Sequence, residues 1–555
     1  MRNKQESDQL SVQAIAGTHV VLLGMNLPQA KCSGLLGFAI RRHDHTEGEI
    51  YWLSGYKTFA SVEPQPAPGV LYSTRYHPIQ GFTWSDFSAK PGYDYTYEVV
   101  ALRGSPSDPK EAEHVSVEVR TESESVPGSK HHVYFNRGAA ASQEYTRRFG
   151  DKRPDEVGQA AYDWLSRGVA EAIQHFIERA ANADWGLRVC AYEFTEEHVL
   201  QLLKDAHKRK ADVRILYHAR NDSTKTGNEE AIKKFAITRI CQPRNAKGLA
   251  LSHNKVLVLT KGGVAQAVLT GSTNLSDGGI YGHSNVVHIC EDRDIAAKYL
   301  WLWEELAKNE DKRNAAPVLE NATPLPDVPE VTGTTPIFSP RAELTALDWY
   351  AKQATEGNGA LFMTFAFGMN DRFQEAYRNG NAKLRYALME QMSGPAKTPE
   401  QKKANEEKII ALRKMPANKF AIGSQLKEGA FGHWLTESLS NLNVHVKYMH
   451  TKYMLVDPLG QNPLVVSGSA NFSDASTTNN DENMLIIRGD TRVADIYLGE
   501  FMRLYRHFAF RDWLSKQPKN KLKEAEVSHL DEKNLWWRRH FGTTFESRQR
   551  EYFSG

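Results

Sequence analysis

The sequence predicts a mixed α/β protein in which two similar α/β sandwich lobes form a pseudo-dimer and follow an all-β sandwich domain. Three observations predict this fold class. The N-terminal part contains only short strand-like runs, the remaining chain alternates strands with helices, and that alternating pattern occurs twice. Similar patterns of this length indicate that one folding unit has been duplicated.

Residues 1–122 are predicted to form the β-sandwich domain. Runs such as "THVVLLGM", "EIYWLSGY" and "HVSVEVRTE" are separated by clusters of Gly, Pro, Asp and Ser at a spacing typical of sandwiches. The segment "KPGYDYTYEVVAL" resembles the entry to strand F of fibronectin type III domains, where a Pro-Gly turn precedes a Tyr-x-Tyr-x-Val alternation. We expect such a domain to position the rest of the chain or to bind another protein or a surface.

Residues 131–308 are predicted to form the first α/β lobe. "LRVCAYEF" is predicted to be a buried strand, followed by Thr195 as the N-cap of a helix. "ADVRILYH" is predicted to be the next strand. A strand, a helix and another strand in this order form a β-α-β unit, which implies a parallel sheet. The apolar face of the helix is predicted to contain Val199, Leu202, Leu203 and Ala206.

The rest of the chain is predicted to contain a linker, a second lobe and a tail. Residues 309–335 are rich in proline and lack periodicity, which is typical of a linker. Residues 336–515 repeat the first lobe, since "PIFSPRAELTALDWY" corresponds to "VYFNRGAAASQEY" and "TRVADIYLGEFMRLYRHF" corresponds to "RDIAAKYLWLWEEL". Residues 516–555 are predicted to be a C-terminal tail.

Residues 391–420 are predicted to be an insertion that the first lobe lacks. The segment leads to the strand that carries His450, so we expect it either to cap the cleft or to form a solvated surface helix. One side of the predicted helix contains Ile409, Ile410, Leu412 and Met415.

Composition excludes several classes of protein. The formal net charge of the 555 residues is only +2, so any site for a polyanion must be local. The N-terminus "MRNKQESDQL" is polar and no apolar run approaches 18 residues, which predicts a cytoplasmic protein without a signal peptide or membrane span. The cysteines have neither disulfide-framework nor zinc-ligand spacing. They are Cys32, Cys190, Cys241 and Cys290.

A constellation of polar residues occurs once in each predicted lobe. "SHNKVLVLTKGGVAQAVLTGSTNLSDGG" and "MHTKYMLVDPLGQNPLVVSGSANFSDAS" both contain His-x-Lys followed by Gly-Ser-x-Asn. Every equivalent pair of residues is 197 positions apart, which chance does not explain. The first set is His253, Lys255, Gly271, Ser272 and Asn274, and the second is His450, Lys452, Gly468, Ser469 and Asn471.

Strand geometry places these residues together. Side chains at positions i and i+2 of a strand point to the same face, so each histidine projects beside its lysine. Asp457 has the opposite parity and is predicted to face away from the chemistry in a structural role. The strand after each His-x-Lys ends in the Gly-Ser-x-Asn turn, which can bring an amide to the same place.

These residues resemble the phospholipase D superfamily, whose signature is His-x-Lys-x4-Asp, then Gly-Ser-x-Asn, then Asn-x-Glu. The second copy matches throughout and includes Asn480 and Glu482. The first copy departs twice: Thr260 replaces the aspartate, and Ser284 or Asn285 falls near the position that matches Glu482.

The resemblance implies a metal-independent phosphodiesterase that needs no cofactor and forms a covalent phosphohistidine. A phosphodiester is anionic, so Lys255, Lys452, Asn274 and Asn471 would stabilise its oxygens. His253 is predicted to attack phosphorus, and His450 to protonate the leaving group and then activate water or an alcohol acceptor.

Further residues are predicted to support this chemistry. Glu482 is predicted to orient His450, and Asp277 is one candidate to orient His253, with a glutamate from elsewhere as the other. Ser272, Ser469 and Asp277 are the predicted substrate-binding residues.

The sequence predicts the type of bond that is cleaved, a phosphodiester, more precisely than it predicts the substrate. Two motifs in one chain resemble phospholipases, phosphatidyltransferases and DNA-end phosphodiesterases, and make a monomer plausible. A phospholipid head group is the first prediction, cleavage of nucleic acid the alternative, and a catalytically decayed phosphate-binding scaffold the second alternative. Trp536 and Trp537 in "KNLWWRRHFGTTF" could contact a membrane surface, stack on bases or simply pack in the protein.

Overall fold

The structure, a computed structural model, describes residues 1–67, 70–138, 142–150, 152–220, 222–327, 332–394, 396–423, 449–515 and 529–555.

Alternating apolar residues build the N-terminal β domain. One sheet has the strand order β1-β2-β3-β8 and the other β10-β9-β4-β5, while β6 and β7 form a hairpin. The strands are β1 (Arg2–Glu6), β2 (Ser11–Ala16), β3 (Val21–Asn26), β4 (Gly37–Asp44), β5 (Glu49–Trp52), β6 (Ser54–Gly55), β7 (Tyr72–Ser73), β8 (Thr83–Asp86), β9 (Asp94–Ser105) and β10 (Asp108–Arg120).

The core of this domain follows the period of two expected for strands. Tyr95, Tyr97 and Val99 of β9 are buried, and they pack with residues from both sheets. The all-β prediction for the N-terminal part is therefore confirmed, whereas the likeness to fibronectin type III stays a prediction.

The first lobe contains a seven-stranded sheet flanked by helices. Its strand order is β11-β18-β17-β16-β12-β13-β14, and β12, β13 and β14 are parallel. Its elements are β11 (His131–Phe135), α1 (Ser142–Phe149), α2 (Pro154–Val157), α3 (Gln159–Ser166), α4 (Val169–Glu178), β12 (Trp185–Ala191), α5 (Glu197–Lys208), β13 (Asp212–His218), α6 (Ser223–Lys234), β14 (Cys241–Arg244), β15 (Leu251–Ser252), β16 (Lys255–Lys261), β17 (Val264–Gly271), β18 (Val286–Cys290) and α7 (Arg293–Ala307).

The predicted β-α-β unit is present as β12, α5 and β13, but its helix begins one residue later than expected. Glu196, not Thr195, is the N-cap, because its carboxylate accepts a hydrogen bond from the backbone N–H of Val199 at 2.7 Å. The carboxylate also suits the positive end of the helix dipole.

The second lobe repeats this arrangement. β25 pairs with β24 on one side, and the sheet continues through β23, β20, β21 and β22; β19 and β15 pair with the other side of β25. The elements are β19 (Gly333–Ser339), α9 (Thr345–Glu356), β20 (Ala360–Phe365), α10 (Asp371–Asn379), β21 (Leu384–Met389), α11 (Pro399–Arg413), β22 (Asn418–Ile422), β23 (Tyr453–Val456), β24 (Leu464–Gly468), α12 (Asp474–Thr478), β25 (Asn480–Arg488) and α13 (Thr491–Ser515).

Helices α7 and α13 share a core with both sheets. This core includes Val256 and Leu302 from the first lobe and Leu455 and Phe501 from the second. Because apolar residues from both lobes are buried together, the lobes are held face to face. The two lobes and the β sandwich confirm the predicted fold class. Among the described residues, no helix is both long and apolar enough to cross a membrane.

The structure differs from the sequence-based expectation in two connecting segments. The segment predicted as a linker contains the helix α8 (Lys312–Ala322), which buries Leu319 against the shared core. Residues 391–420 are not an insertion, because α11 joins β21 to β22 as α6 joins β13 to β14. Most of the extra length of the second lobe lies instead between β22 and His450, in a stretch that includes residues 424–448, which lie outside the described residues.

Helix α11 packs on the outer face of the second lobe and does not cap the cleft. Ile409 and Leu412 are buried in the core of that face, and Met415 packs against it. Ile410, predicted to share their side, is 42% exposed. Its position one residue after Ile409 rotates it away from the packed side.

The C-terminal residues pack against the β domain. Trp536 lies in a short 3₁₀ helix (Trp536–His540), and its Nε1 donates to the carbonyl oxygen of Leu35 at 3.0 Å. Helix α14 (Phe545–Ser554) crosses β3 so closely that a Cβ on Gly24 would lie 1.9 Å from the Phe553 carbonyl oxygen. Trp536 therefore packs in the protein, which is one of the three roles predicted for it.

A chain of buried polar side chains links the lobes and predicts acid sensitivity. His131 Nδ1 lies 2.9 Å from His288 Nε2, His131 Nε2 is 3.0 Å from Thr334 Oγ1, and His288 Nδ1 is 3.0 Å from the Tyr497 hydroxyl. Burial lowers the pKa of His131 to about 4, and burial together with the charge of His131 lowers that of His288. Both pKa values are below that of an unfolded histidine, near 6.5. Their stabilisation is therefore complete above about pH 6.5 and is lost as the pH falls towards 4.

We expect the free energy of unfolding in urea to decrease between pH 7 and pH 5, by roughly 1 kcal/mol per pH unit for each histidine that titrates. His288→Gln should flatten this dependence because glutamine does not titrate. His175→Gln is the matched control, since His175 is exposed. An equal pH dependence in all three proteins would contradict the assignment.

Candidate active site

Each histidine motif is docked on the opposite lobe. The backbone N–H of His253 donates to the carbonyl oxygen of Asp481 at 2.9 Å, and that of His450 donates to Ser284 at 3.1 Å. Parallel pairing accompanies both contacts, because β15 pairs with the start of β25 and Met449 forms a bridge with Ser284. The two lobes therefore exchange equivalent contacts at their boundary.

This exchange brings the two predicted histidines into one site. The ring centroids of His253 and His450 are 6.3 Å apart and the rings are nearly perpendicular. Each residue is 5% exposed. A phosphorus atom bound between the rings would face one imidazole on each side, which is the arrangement that an in-line displacement needs.

The two motif lysines lie beside their histidines and are deeply buried. Lys255 Nζ donates to the carbonyl oxygen of His253 at 2.6 Å, and Lys452 Nζ donates to that of His450 at 2.5 Å. Burial lowers the pKa of Lys255 to about 7 despite the opposing effect of Glu482. Burial and the charge of Lys255 lower the pKa of Lys452. An anion bound between the lysines would relieve this unfavourable burial of positive charge.

Glu482 pairs with His253, so the prediction that it orients His450 is wrong. Glu482 Oε2 lies 2.8 Å from His253 Nδ1, and its Oε1 accepts a hydrogen bond from Asn480 Nδ2 at 3.2 Å. Burial lowers the pKa of His253 to about 4, while Glu482 opposes that shift. Burial alone would raise the pKa of Glu482, but His253 and Lys255 bring it below its usual value.

Asn285 lies beside His450 as Glu482 lies beside His253. His450 Nδ1 lies 3.0 Å from Asn285 Oδ1 and 3.1 Å from the carbonyl oxygen of Ser272. Both partners accept hydrogen bonds, so Nδ1 carries the hydrogen and Nε2 remains for chemistry. The pKa of His450 is far below its usual value because of burial and the nearby positive charge of Lys452.

The predicted substrate-binding serines instead support the residues that orient the histidines. Ser272 Oγ donates to Asn285 Oδ1 at 2.8 Å and accepts from the backbone N–H of Val286 at 3.1 Å. Ser469 Oγ accepts from the backbone N–H of Asn483 at 3.0 Å. The structure thus assigns these hydroxyls to the interior of the fold.

The remaining predicted residues differ in their surroundings. In the described part of the chain, the amide oxygens of Asn274 and Asn471 are buried without a hydrogen-bond partner. Asp277 is exposed at the start of a π-helical turn (Gly278–Gly282), and Glu482 takes the role for which Asp277 was one candidate. Asp457 is structural as predicted, since its carboxylate accepts hydrogen bonds from the backbone N–H groups of residues 358–360 at 2.6–2.9 Å.

Two aromatic neighbours of the histidines lie outside the residues predicted for the site. The Tyr192 ring lies 4.8 Å from the His253 ring and 5.0 Å from Lys255 Nζ. The His283 ring lies 5.4 Å from the His450 ring. The sequence contains a signal for His283, which is the residue equivalent to Asn480. It contains none for Tyr192, whose place beside the site follows from the pairing of Ala191 with Lys255 in the fold.

The low pKa of Lys255 predicts pH-dependent anion binding. Lysine is charged below its pKa, so the cation is present below about pH 7 and is lost above it. We expect the dissociation constant for dimethyl phosphate, whose charge does not change in this range, to rise above pH 7 by up to tenfold per pH unit. Isothermal titration calorimetry from pH 5 to 9 measures this constant.

Lys255→Arg should reduce the rise because a guanidinium stays charged throughout. Lys261→Arg is the control, since Lys261 lies on the same strand but is exposed. A dissociation constant that stays level from pH 6 to 9 in the unmodified protein would contradict the prediction.

Comparison with known proteins agrees with the duplicated architecture. The family model described as "Cardiolipin synthase, PLD-like domain" matches residues 176–306 and 406–505, one region in each lobe. Each lobe therefore contains a region that matches a phospholipase D-like domain. No curated protein sequence matches the chain.

Solved structures that match part of the chain include three from bacteria. Phosphatidylserine synthase of Haemophilus influenzae Rd KW20 is 14% identical, with a TM-score of 0.43, over 61% of this chain and 85% of that chain. Nuc, a phospholipase D family member of Salmonella typhimurium, is 25% identical, with a TM-score of 0.22, over 25% of this chain and 87% of that chain. Polyphosphate kinase of Porphyromonas gingivalis is 11% identical, with a TM-score of 0.37, over 59% of this chain; the match spans 46% of the kinase.

Proposed function

We propose that this protein is a metal-independent phosphodiesterase that attacks phosphorus with His253, uses His450 as acid and base, and cleaves the head group of a phospholipid. The match of both lobes to a phospholipase D-like family model supports an enzyme that acts on phosphodiesters. The observation that carries the assignment of roles is the unequal pairing of the histidines, His253 with a carboxylate and His450 with a neutral amide.

The hydrogen-bond partners of the two histidines, Glu482 and Asn285, suit different catalytic roles. Attack by His253 Nε2 places positive charge on the ring, and the Glu482 carboxylate at Nδ1 stabilises that charge. Asn285 accepts a hydrogen bond from His450 without adding negative charge. The protonated His450 ring is therefore more acidic, which favours donation of its proton to the leaving group.

The reaction follows from these assignments. Binding of the anionic phosphodiester beside His450 favours the protonated form of its ring. His253 Nε2 then forms a bond to phosphorus as the bond from phosphorus to the leaving oxygen breaks, and His450 donates its Nε2 proton to that oxygen. Water then gives a proton to His450 Nε2 while its oxygen attacks phosphorus, and the bond between phosphorus and His253 breaks. Lys255 and Lys452 neutralise the phosphoryl oxygens in both steps. An alcohol in place of water would give transfer instead of hydrolysis.

The charges on four loops beside the site favour a phospholipid over a nucleic acid. The loops that follow β12, β17, β20 and β24 cover residues 192–196, 272–277, 366–370 and 469–474, and none contains lysine or arginine. A polynucleotide carries further phosphates on both sides of the scissile one, so its binding normally needs additional cations. Glu193 and Glu196 on the first of these loops would repel such neighbours. A single phosphodiester needs only the two motif lysines.

Two other predicted interactions belong to this proposal. A surface-binding role for the β domain and peripheral contact with a membrane would both suit a lipid substrate. Trp536 is unsuited to either contact in this structure because it is 7% exposed within the β-domain core.

Incubation with phospholipid and DNA substrates in EDTA tests the function. We expect release of a head group from a phospholipid without added metal. A dependence on added metal would contradict the mechanism. Faster cleavage of DNA ends or strands would favour the nuclease alternative, and phosphate binding without cleavage of either substrate would favour the scaffold alternative. Lys255→Ala together with Lys452→Ala is the negative control.

A further inference from the structure

Asn136 joins the end of β11 to the segment that orients His450. Its side chain is fully buried. Its Nδ2 donates to the carbonyl oxygens of Ile280 at 2.8 Å and His283 at 2.7 Å, and its Oδ1 accepts from the backbone N–H of Asn285 at 2.8 Å. One side chain thus fixes the segment before Asn285 and the backbone of Asn285 itself.

The Asn285 side chain is fixed in turn. Its Nδ2 donates to the carbonyl oxygen of Gly279 at 2.8 Å, and its Oδ1 accepts from Ser272 Oγ at 2.8 Å and lies 3.0 Å from His450 Nδ1. The direction of the amide is therefore set by the segment that Asn136 holds. A shift of this segment would move the acceptor away from His450.

Asn136 is itself anchored to a buried group of charges. Its carbonyl oxygen accepts from Arg503 Nη2 at 3.0 Å, and Arg503 pairs with Glu500 of α13 at 2.8 Å. Glu500 also pairs with Arg167 at 2.6 Å, and Arg167 Nε donates to the carbonyl oxygen of Phe135. These charge-assisted bonds hold both Asn136 and the residue before it.

Such support matters more for His450 than for His253. A carboxylate attracts an imidazole N–H strongly, whereas a neutral amide depends more on correct distance and direction. We infer that Asn136 is a positioning residue for the general acid: it holds the segment 280–285 so that Asn285 keeps His450 Nδ1 protonated and Nε2 turned towards the leaving group. This inference rests on the proposed phosphodiesterase activity.

The test compares two leaving groups in the Asn136→Ala variant. 4-Nitrophenolate leaves bis(4-nitrophenyl) phosphate without a proton, whereas the more basic phenolate of diphenyl phosphate needs the general acid. We expect the ratio of kcat/KM for diphenyl phosphate to kcat/KM for bis(4-nitrophenyl) phosphate, which reports the step that releases the first leaving group, to fall by about 10- to 100-fold, part of the contribution of a general acid. Nitrogen-15 NMR should also show a mixture of His450 tautomers.

The matched control is Asn418→Ala. Asn418 is equally buried and also donates two hydrogen bonds from Nδ2, to the carbonyl oxygens of Tyr377 and Leu412 at 2.8 Å, but it joins α10 and α11 on the outer face of the second lobe. We expect it to lower the unfolding midpoint without changing the ratio of the two kcat/KM values. If Asn136→Ala does not fold, Asn136→Ser in the same assay replaces it, since serine also lacks the amide.

Two results would overturn the inference, and they are distinguishable. A ratio of kcat/KM values in the Asn136 variant equal to that of the unmodified protein would show that Asn136 supports stability alone. An unmodified protein that cleaves neither these esters nor a phospholipid would refute the proposed function, and the positioning role with it.

Discussion

Replacement of His253 by alanine is expected to abolish the burst of 4-nitrophenolate from bis(4-nitrophenyl) phosphate. Without the nucleophile no covalent intermediate forms, so we expect kcat to fall by at least about 10⁴-fold. Replacement of His450 by alanine is expected to leave a burst of one equivalent and to abolish turnover. The first leaving group needs no acid, but water must lose a proton before it can attack the intermediate. Stopped-flow absorbance separates the two phases.

The two variants are controls for each other, because both histidines are equally buried and lie at equivalent positions. A burst that survives in His253→Ala and disappears in His450→Ala would reverse the proposed roles. Loss of the burst in both variants, with intact folding, would mean that the covalent step needs both rings.

Replacement of Glu482 by glutamine is expected to slow the formation of the phosphoenzyme, although Glu482 belongs to the other lobe from the nucleophile. Glutamine keeps the shape and one acceptor but removes the charge that stabilises His253 during attack. We expect the rate constant of the burst to fall by about 10²- to 10⁴-fold. Rapid-quench kinetics with bis(4-nitrophenyl) phosphate measures it.

Asn285→Ala is the matched comparison, since Asn285 is the residue equivalent to Glu482. We expect it to reduce turnover while the rate constant of the burst with this activated ester changes little. If Glu482→Gln slowed only turnover and left the burst unchanged, Glu482 would act on His450, and the pairing across the lobes would be functionally unimportant.

The sequence predicts that one folding unit occurs twice, but it does not predict that each histidine motif contacts the opposite lobe. The spacing of 197 positions between His253 and His450 identifies two copies of one strand pattern, and the period of two in strands places each lysine beside its histidine. No local pattern shows whether the glutamate of the Asn-x-Glu strand contacts the histidine of its own lobe or that of the other lobe. That choice depends on the pairing of β15 with β25, between residues more than 200 positions apart.

The eroded first motif illustrates the same limit. Asn285 could be identified as one of two candidates for the position of Glu482, but its function became evident only from its contact with His450. Asn136 lay beyond any motif, because its role depends on three hydrogen bonds to residues about 145 positions away.

Local rules failed where tertiary packing decided the outcome. The proline-rich linker contains α8 because burial of Leu319 against the shared core stabilises that helix, even with Pro317 within it. The prediction that Ile410 shares the packed side of Ile409 fails for a local reason, because adjacent residues of a helix point in different directions.

The most direct test of the central claim is to identify the histidine that carries the phosphoryl group. The protein is mixed with a phosphodiester substrate labelled in its phosphate, quenched rapidly in alkali, digested and analysed by mass spectrometry, because phosphohistidine is labile in acid. The pairing of Glu482 with His253 across the lobes predicts that the label is found on the peptide that contains His253. Label on His450 would contradict the account.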